Sequence, residues 1–360
     1  MKVLFDTYAF RMQRVGGISR YFAELIRRLP SCGIEPQVFM PLVDNEHAAS
    51  TGIANRHSTS LLARHGLGRR LVHSALQRTD ALLRAAGQYR VLHQTYYAQP
   101  PRTRRRAACT IVDMIPDLFP QHFAGNPHQR KREVAAACDL VFSISECTTR
   151  DIVAVYGLDP GKIVTTQLGI DLAEFVSPAS ATNPFRAPYV LFVGQRGGYK
   201  NFQRLAAALV PVLAQWPELS LAVVGQPLSE EERRTFEASG VLGRVQQASV
   251  ADLALPRIYG QAELFVFPSE YEGFGIPLLE AFAAGCPVAA SRASCFPEVG
   301  GEAIEYFDPR SVDDIAHAAT RILASRARAD ALRALGAERV KMFSWTRTAE
   351  KTAEAYRRLG

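Results

Sequence analysis

The chain lacks closely spaced cysteines. Its six cysteines are never closer together than nine residues, so it contains no C-x-x-C pair of the kind that binds zinc or cycles between thiol and disulfide. Most of them stand among alanines or other apolar residues, which is typical of small buried side chains. We therefore expect reduced thiols with no metal or redox role.

Long apolar runs and metal-ligand patterns are also missing. No apolar run approaches the roughly 18 to 20 residues that a membrane span needs, and residues 1–10 lead straight into a predicted strand instead of a charged and then apolar leader. No two aspartates form a D-x-D pair, and no His, Asp and Glu cluster has metal-ligand spacing. These absences lead us to expect a cytoplasmic protein that uses no metal and no other cofactor.

The dinucleotide-binding fingerprint G-x-G-x-x-G is absent as well, which argues against an oxidoreductase that uses a dinucleotide. A weaker glycine signal is present. Gly16 and Gly17 follow the first predicted strand, Lys2–Thr7, and open an amphipathic helix that ends near Pro30. A glycine loop at this place in an α/β domain is where ligands bind, so both glycines are candidate ligand-binding residues.

What the chain does contain is an α/β pattern. Short apolar segments alternate with helical ones, as in a doubly wound parallel sheet. With 360 residues, 48% hydrophobic content and 21% charge, the composition is that of a soluble globular protein with two domains. The further predicted strands are Gln37–Val43, Val91–His93, Thr110–Asp113, Leu140–Ile144, Tyr189–Gly194, Leu221–Gly225 and Glu263–Phe267.

A hinge separates the two predicted domains. Residues 177–188 combine Pro, Ser and Ala without a periodic apolar pattern, and a new strand-rich unit begins directly after them. We predict two Rossmann-like, doubly wound domains that face a cleft. Residues 1–180 form the first and are completed by a C-terminal helix at 345–360, and residues 188–342 form the second.

Charge is unevenly distributed between these domains. Residues 189–342 hold 15 Lys and Arg against 18 Asp and Glu, so the rest of the chain holds 27 against 17. Residues 56–106 alone hold 11 arginines, with Asp80 as the single acidic residue. The leucines at 61–83 are spaced as on amphipathic helices, without the interleaved aromatics that stacking on bases needs, which favours an anionic membrane surface over nucleic acid. The alternative is a solvated, arginine-rich helix pair that packs on its own domain.

One stretch, residues 268–291, combines a glycine loop and a helix directly after a predicted strand. Residues 278–284 are typical of a helix, Pro277 suits its first position, and Gly285 suits its end. The loop before this helix would aim unpaired backbone N–H groups at a ligand. The stretch therefore predicts an anion site.

Two carboxylates, Glu272 and Glu280, bracket this loop with seven residues between them. Backbone N–H groups can hold phosphate while carboxylates accept hydrogen bonds from sugar hydroxyls, so the arrangement suits a nucleotide-sugar. The alternative is structural: Glu280 complements the helix dipole and Glu272 is solvated. From the two glutamates alone, both interpretations stay open.

The same stretch resembles the E-x7-E signature of the retaining family-4 glycosyltransferases, which have the GT-B fold, and the likeness extends over nearly the whole chain. The resemblance implies that Glu280 binds the nucleotide ribose and that Glu272 contacts the transferred sugar. It also implies that the loop holds the diphosphate through its backbone. The matching residues after the signature are Ala281, Gly285, Pro287 and Ser291, and the donor-binding loop residues are Gly273, Phe274, Gly275 and Ile276.

Two cations follow the first strand of the second domain. Arg196 and Lys200 surround a glycine turn at a helix start, which favours a grip on a diphosphate over ordinary loop cations. By resemblance they are the phosphate-binding Arg and Lys of the family, and residues 197–202 (GGYKNF) look like polysaccharide mannosyltransferases. The resemblance places the nucleobase wall at 245–253. Gly194 and Gly225, with Gly16 and Gly17, complete the predicted donor-binding set.

The first domain contributes candidates at predicted strand ends. His93, Tyr96 and Tyr97 are possible acceptor-binding residues, and Asp113 is a candidate catalytic residue. The family usually carries a His-Asp pair in the Asp113 loop, but Val112 stands in place of the histidine. Either His93 substitutes for it, or the backbone and Asp113 suffice.

The resemblance implies a retaining glycosyltransferase of cell-surface polysaccharide synthesis, and on the resemblance alone its donor is most readily GDP-mannose. It would move a hexose, here mannose, to a lipid-linked or oligosaccharide acceptor without a metal, with Arg196, Lys200 and helix N-termini neutralising the leaving diphosphate. We expect it in the cytoplasm, peripheral at the inner face of the cell membrane, with no nucleic-acid partner. Two alternatives stay open: a catalytically impaired nucleotide-sugar-binding subunit at the membrane, which Val112 favours, and a GT-B nucleotide-sugar epimerase.

Overall fold

The computed structural model describes residues 1–12, 16–38, 45–50, 88–173, 175–176, 178 and 180–360. The chain divides into two compact units. Unit 1 comprises Met1–Leu118, Gly125–Leu168 and Trp345–Gly360, and unit 2 comprises Phe119–Ala124 and Gly169–Ser344.

Unit 1 is built on a six-stranded parallel sheet with the order β2-β1-β3-β4-β5-β6. Its strands are β1 (Lys2–Phe5), β2 (Glu35–Val38), β3 (Val91–Gln94), β4 (Arg106–Ile111), β5 (Leu140–Ser143) and β6 (Ile163–Thr165). Its described helices are Tyr8–Met12, Gly17–Arg28, Glu46–Ser50, Ile115–Leu118, Lys131–Ala137, Glu146–Tyr156 and Trp345–Arg358.

The last helix, Trp345–Arg358, belongs to unit 1 although the chain reaches it from unit 2. The Thr348 hydroxyl donates a hydrogen bond to the Gln167 carbonyl at 2.6 Å, and the Tyr356 side chain is fully buried. The helix completes the core of unit 1 through these contacts.

Unit 2 is built on a second six-stranded parallel sheet, with the order β12-β11-β10-β7-β8-β9. Its strands are β7 (Tyr189–Val193), β8 (Ser220–Val224), β9 (Val245–Ala248), β10 (Leu264–Phe267), β11 (Val288–Ser291) and β12 (Ile304–Phe307). Its helices are Phe202–Gln215, Glu230–Ala238, Leu255–Gly260, Ile276–Ala283, Phe296–Gly300, Val312–Leu323 and Arg326–Val340.

The strand order of unit 2, counted along its own sequence, is 3-2-1-4-5-6, the order of a Rossmann fold. Its central strands read as continuous apolar runs because helices cover both faces of the sheet. Leu264–Phe267 is buried along its whole length, and Phe202–Gln215 and Val312–Leu323 supply apolar faces to the surrounding core. The prediction of two Rossmann-like, doubly wound domains is confirmed.

Several boundaries differ from the sequence prediction. The strand expected at Thr110–Asp113 runs from Arg106 to Ile111, so Asp113 lies in the loop beyond it. Residues 169–180, expected in the first domain, lie with unit 2 where they are described. The short segment Phe119–Ala124 also joins unit 2, which no sequence pattern indicated.

All six cysteines are free thiols, five of them buried. Within the described residues, no helix combines the length and the apolarity that crossing a bilayer requires.

Candidate active site

The topology of unit 2 defines where a ligand would bind. β7 and β10 are neighbours, and the chain winds outward from them in opposite directions. In open α/β sheets the crevice outside the carboxyl ends of two such strands is the usual ligand site. Lys200 follows β7 and Glu272 follows β10, so both predicted residues lie at this switch point.

Gly194 and Gly225 shape the backbone at the carboxyl ends of β7 and β8. The N–H of Gly194 donates to the Val224 carbonyl at 3.1 Å, and the N–H of Gly225 donates to the Ala248 carbonyl at 3.0 Å. Both have positive φ, +130° and +147°, and a Cβ on Gly225 would lie 2.8 Å from the Gly194 carbonyl oxygen. A side chain at Gly225 would force the ends of β7 and β8 apart.

Lys200 and Glu272 form an ion pair at the switch point. The Lys200 Nζ donates to both Glu272 carboxylate oxygens, at 2.7 and 3.0 Å. The two side chains are 22% and 12% exposed, so the pair lies partly shielded from water but within reach of it. The interpretation of Glu272 as a solvated loop residue does not fit this geometry.

Two residues that the sequence reading missed hold the loops of this pair. Ser294 has φ +52°, and its hydroxyl accepts from the Glu272 N–H at 3.2 Å and donates to the Glu272 carbonyl at 2.6 Å. Asn201 has φ +59°, and its side-chain amide donates to the carbonyls of Pro268 at 3.0 Å and Pro309 at 2.7 Å. Positive φ in non-glycine residues is uncommon and often marks functional loops. Only Asn201, an asparagine at a helix start, gave any signal in the sequence.

The helix after the loop begins at Ile276, with Gly275 at φ +91° as its N-cap. Glu280 is the fifth helical residue, beyond the first turn in which a helix dipole acts, and it is only 6% exposed. The Tyr259 hydroxyl donates to its carboxylate at 3.4 Å, and burial first and then Glu280 raise the pKa of Tyr259. The helix-dipole interpretation of Glu280 therefore does not hold.

The loop itself is buried on its side-chain side. Phe274 is 2% exposed, and its ring packs edge-on against Phe343 at 5.7 Å. A Cβ on Gly275 would lie 3.2 Å from the Phe296 ring. Phe274 can therefore meet a ligand only through its backbone, whereas Ile276 is half-buried, and the donor-binding role of Gly273, Phe274, Gly275 and Ile276 stays a prediction.

Arg196 is engaged on three sides. Its guanidinium donates to the Gln226 carbonyl at 2.7 Å, to the Pro227 carbonyl at 2.6 Å and, through Nε, to Glu232 at 2.7 Å. Glu232 also closes the capping box of the helix Glu230–Ala238, and hydrogen bonds from Arg196 help to lower its pKa against the opposing effect of burial. Arg196 thus braces the loop after β8 as well as standing at the predicted phosphate site.

The structure places His93 inside unit 1. It lies within β3, is 0% exposed, and stacks between Phe5 and Phe142 at 5.1 and 5.4 Å. Its ring nitrogens bond to the Tyr356 hydroxyl and, at 2.9 Å, to the Thr110 hydroxyl, and burial lowers its pKa to about 3. The expectation that His93 binds acceptor or replaces the histidine missing at 112 is wrong, because its ring has no exposed surface.

Tyr97 and Asp113 lie against the buried Lys131, and the Tyr96 ring packs beside Tyr97 at 5.1 Å. The Asp113 carbonyl accepts from Lys131 Nζ at 2.9 Å, and Lys131 also pairs with Asp117 at 2.8 Å. The Tyr97 hydroxyl donates to the Thr110 carbonyl at 3.1 Å, and burial first and then Asp113 raise its pKa. Tyr97 is therefore a packing residue, whereas Tyr96 and Asp113 keep partial exposure.

His128 is a further neighbour that the sequence reading missed. Its ring packs edge-on to Tyr96 and lies 5.4 Å from both tyrosine rings, those of Tyr96 and Tyr97. Burial first and Lys131 second lower its pKa. It lies in an irregular segment, where no periodic pattern marks a residue.

The remaining predicted glycines lie at the start of a helix in unit 1. Gly16 is extended, and its carbonyl accepts from the Ser19 hydroxyl at 2.9 Å. Gly17 is the first helical residue, and a Cβ there would meet open space. No observation tests the donor-binding role of the two glycines, which stays a prediction.

Only part of the basic segment 56–106 is described, from residue 88 onward. There Arg104 and Arg105 contribute to an open groove of about 730 Å³ at the amino ends of β3, β4 and β5. Arg105 bonds to the Tyr89 carbonyl and stacks on its ring at 4.4 Å, and Arg106 pairs with Asp139 at 2.6 Å. The leucine-rich part that predicted a membrane surface lies outside the described residues.

Two family profiles match the chain. The one described as "Glycosyltransferase Family 4" matches residues 15–174, and the one described as "Glycosyl transferases group 1" matches residues 178–339. The chain is 28% identical to an O-antigen chain mannosyltransferase B of Escherichia coli over 100% of both chains. It is 30% identical to a D-inositol 3-phosphate glycosyltransferase of Geodermatophilus obscurus over 95% of this chain and 84% of the relative.

A solved structure shows the same fold. HepE of Anabaena, crystallised with UDP-glucose, superposes with a TM-score of 0.72 at 18% identity over 99% of this chain and 100% of that one. At this identity the likeness concerns the fold alone.

Proposed function

The chain belongs to the family-4 glycosyltransferases of GT-B fold, and on that premise we propose that it moves a hexose, most readily mannose from GDP-mannose, onto a lipid-linked or oligosaccharide acceptor of a cell-surface polysaccharide. The observation that carries the proposal is the Lys200–Glu272 pair at the switch point of unit 2, with Glu280 buried eight residues further on. The mannosyltransferase relative supports the choice of sugar.

In the proposed reaction Lys200 would bind the diphosphate and Glu272 would bind the transferred sugar. Glu272 orients the Lys200 ammonium through both carboxylate oxygens. In the complex this ammonium would also donate to a diphosphate oxygen, while the Glu272 carboxylate would accept from sugar hydroxyls. The pair would thereby be oriented before the donor arrives, so that little reorganisation is left for the transition state.

Arg196 would act in the same way on the leaving group. Its guanidinium has five N–H donors, of which three are used for Gln226, Pro227 and Glu232. The remaining donors could meet phosphate oxygens without breaking this network. Because Arg196 and Lys200 each face a carboxylate, the four side chains carry no net charge. The backbone N–H groups at Gly275 and Ile276 would supply the rest of the attraction.

Glu280 would bind the nucleotide ribose from the second turn of its helix. Its carboxylate accepts from the buried Tyr259 hydroxyl at 3.4 Å, and the residue is 6% exposed. This carboxylate would accept a ribose hydroxyl next to the phosphate loop. We propose that the reaction retains the anomeric configuration of the donor and needs no metal.

The test is a turnover assay with product analysis. The purified chain is incubated with GDP-mannose, UDP-glucose or dTDP-glucose and an oligosaccharide or lipid-linked acceptor, and the new linkage is assigned by NMR. We expect release of nucleoside diphosphate, a linkage with the anomeric configuration of the donor, and the same rate in EDTA. An inverted linkage would contradict the retaining mechanism, and loss of rate in EDTA would contradict metal independence.

One observation favours a second candidate. Val112 stands where the family carries a histidine, and the buried His93 cannot replace it. A nucleotide-sugar-binding subunit without transferase activity would bind donor and release no diphosphate with any acceptor. The same assay, paired with a binding measurement, separates the two candidates.

We also propose that the basic segment 56–106 brings the enzyme to anionic lipid at the inner face of the cell membrane. Residues 56–106 carry 11 arginines against Asp80, and cations near an anionic leaflet are each worth about 1 kcal/mol. A lipid-linked acceptor would be exposed at that surface.

A further inference from the structure

A short segment from the first half of the sequence belongs to unit 2. The chain leaves unit 1 after Leu118, contributes Phe119–Ala124 to unit 2, and returns to unit 1 at Gly125. Two ring side chains in this segment, Phe119 and His122, stack on each other at 6.2 Å and 16°. We call these two residues the ring brace.

The His122 side of the ring brace rests on the turn that carries Lys200. Gly198 has φ +58°, and a Cβ placed there would lie 2.9 Å from the His122 ring. The turn continues through hydrogen bonds from the Lys200 N–H to the Gly197 carbonyl at 3.2 Å and from the Asn201 N–H to the Gly198 carbonyl at 3.0 Å. The His122 ring therefore lies directly on the backbone that sets the height of Lys200.

The Phe119 side reaches the loop that carries Glu272. The Phe119 ring lies 5.8 Å from Tyr271, the residue before Glu272, and 6.2 Å from Tyr199, the residue before Lys200. Tyr271 is 6% exposed, so its ring is fixed by its surroundings. A hydrogen bond from the Glu270 N–H to the Tyr199 carbonyl at 2.8 Å joins the two loops behind these rings.

We propose that Phe119 and His122 are positioning residues for transfer, which hold the Lys200 turn and the Glu272 loop in register. The proposal rests on the proposed function for its kinetic readout. The two rings contact Tyr199, Tyr271 and the Gly198 backbone, which stand next to Lys200 and Glu272. A displacement of about 1 Å in a reacting group can cost on the order of 100-fold in rate.

The first experiment compares Phe119→Ala, His122→Ala and their combination with two controls. Phe123→Ala changes the same segment at a ring for which the described residues show no stacking partner, and His317→Ala removes an exposed histidine from the helix Val312–Leu323. We expect the brace variants to lower kcat about tenfold with the donor KM within about twofold, and the controls to match the parent. Phe119→Tyr and His122→Phe, which keep a ring, should recover most of the rate.

The second experiment does not depend on catalysis. Hydrogen exchange should become faster at 198–201 and at 270–273 together in Phe119→Ala/His122→Ala, and stay unchanged in Phe123→Ala. This readout also separates the two proposals: a parent chain that transfers no sugar overturns the proposed function, whereas unchanged exchange in both loops overturns the ring brace.

A double substitution tests the contact at Gly198. Gly198→Ala should lower kcat by more than tenfold because the added methyl meets the His122 ring, and Gly198→Ala/His122→Ala should recover severalfold, short of full rate because φ stays positive. Equal activity of the single and double variants would contradict the contact. If Gly198→Ala does not fold, the exchange experiment on the alanine variants decides.

Discussion

Polar residues near the carboxyl ends of strands behave differently in the two units. In unit 2, Lys200 and Glu272 stand seven and five residues beyond the last residues of β7 and β10, and they meet in a partly exposed ion pair. In unit 1, His93 lies inside β3 and is 0% exposed. A polar residue within a central strand points into the core between sheet and helices, whereas one in the loop beyond it reaches the crevice.

The two environments also use their hydrogen bonds differently. The His93 nitrogens are satisfied by Tyr356 and Thr110, which are both buried, so that network is closed. Arg196 keeps N–H donors beyond the three that bond to Gln226, Pro227 and Glu232, and the Lys200–Glu272 pair is partly exposed. We infer that unit 2 is prepared for an anionic ligand and that the His93 network stabilises unit 1.

Of the predicted effects, the largest is the loss of turnover on substitution of Lys200. We expect Lys200→Ala to lower kcat by about 100-fold or more. The substitution removes the positive charge that would neutralise the leaving diphosphate, and it leaves Glu272 unpaired. The matched control is Lys341→Ala, which removes a lysine–glutamate pair of similar length, 2.6 Å to Glu338, from the surface. Turnover of Lys200→Ala near that of the control would remove Lys200 from the site.

Arg196 should affect both turnover and stability. We expect Arg196→Ala to lower kcat about tenfold or more. Loss of hydrogen bonds to two carbonyls and Glu232 should also lower the free energy of unfolding by about 1–3 kcal/mol, which urea denaturation measures. Arg328→Ala, which removes a more exposed arginine paired with Glu305, should change neither quantity appreciably. A stable but inactive Arg196→Ala would assign the residue to phosphate alone.

Substitution of His93 should change the pH dependence of stability and leave nucleotide binding unchanged. Burial holds its folded pKa at about 3, against an unfolded value of about 6.5, so between these values only the unfolded chain binds the proton. This contribution is therefore fully present above about pH 6.5, and it is lost as pH falls, by up to about 1.4 kcal/mol per pH unit. His93→Gln should lack this component and keep nucleotide binding. Equal pH dependence of unfolding in both proteins would show that His93 is not the titrating group.

The smallest effect concerns the basic segment 56–106. Sedimentation with anionic vesicles should be strong at low salt, weak at high salt and absent with neutral vesicles. Replacing Arg102, Arg104, Arg105 and Arg106 by serine should weaken it severalfold and leave nucleotide binding unchanged. If the variant sediments like its parent, these arginines form only a solvated face.

The fold could be predicted well from the sequence because the pattern of apolar residues indicates the strands and helices. Buried parallel strands such as Tyr189–Val193 read as apolar runs, and the glycine loops after them mark the strand ends. The sequence predicted where Lys200 and Glu272 lie because a strand end fixes the position of the next few residues. It misplaced His93 because strand and loop residues differ by one or two positions, which is the usual uncertainty of a boundary.

What the sequence could not predict depends on long-range contacts. Ser294 holds the Glu272 backbone from 22 residues away, and Phe119 meets Tyr271 across 152 residues. Neither residue stands in a periodic pattern, and ring stacking across loops has no local signature. Such residues emerge only when the loops are placed in three dimensions.

The measurement that decides the account is the thermal shift of the parent and of Lys200→Ala with GDP, UDP and dTDP, each against its nucleoside. At about 100 times its dissociation constant, a ligand stabilises the folded state by about 2.7 kcal/mol, which a melting curve resolves. We predict that at least one diphosphate, with GDP favoured, raises the melting temperature of the parent, that its nucleoside does so far less, and that Lys200→Ala loses most of the difference. If no nucleoside diphosphate shifts the parent, the assignment of the unit 2 switch point as a nucleotide-sugar site is wrong.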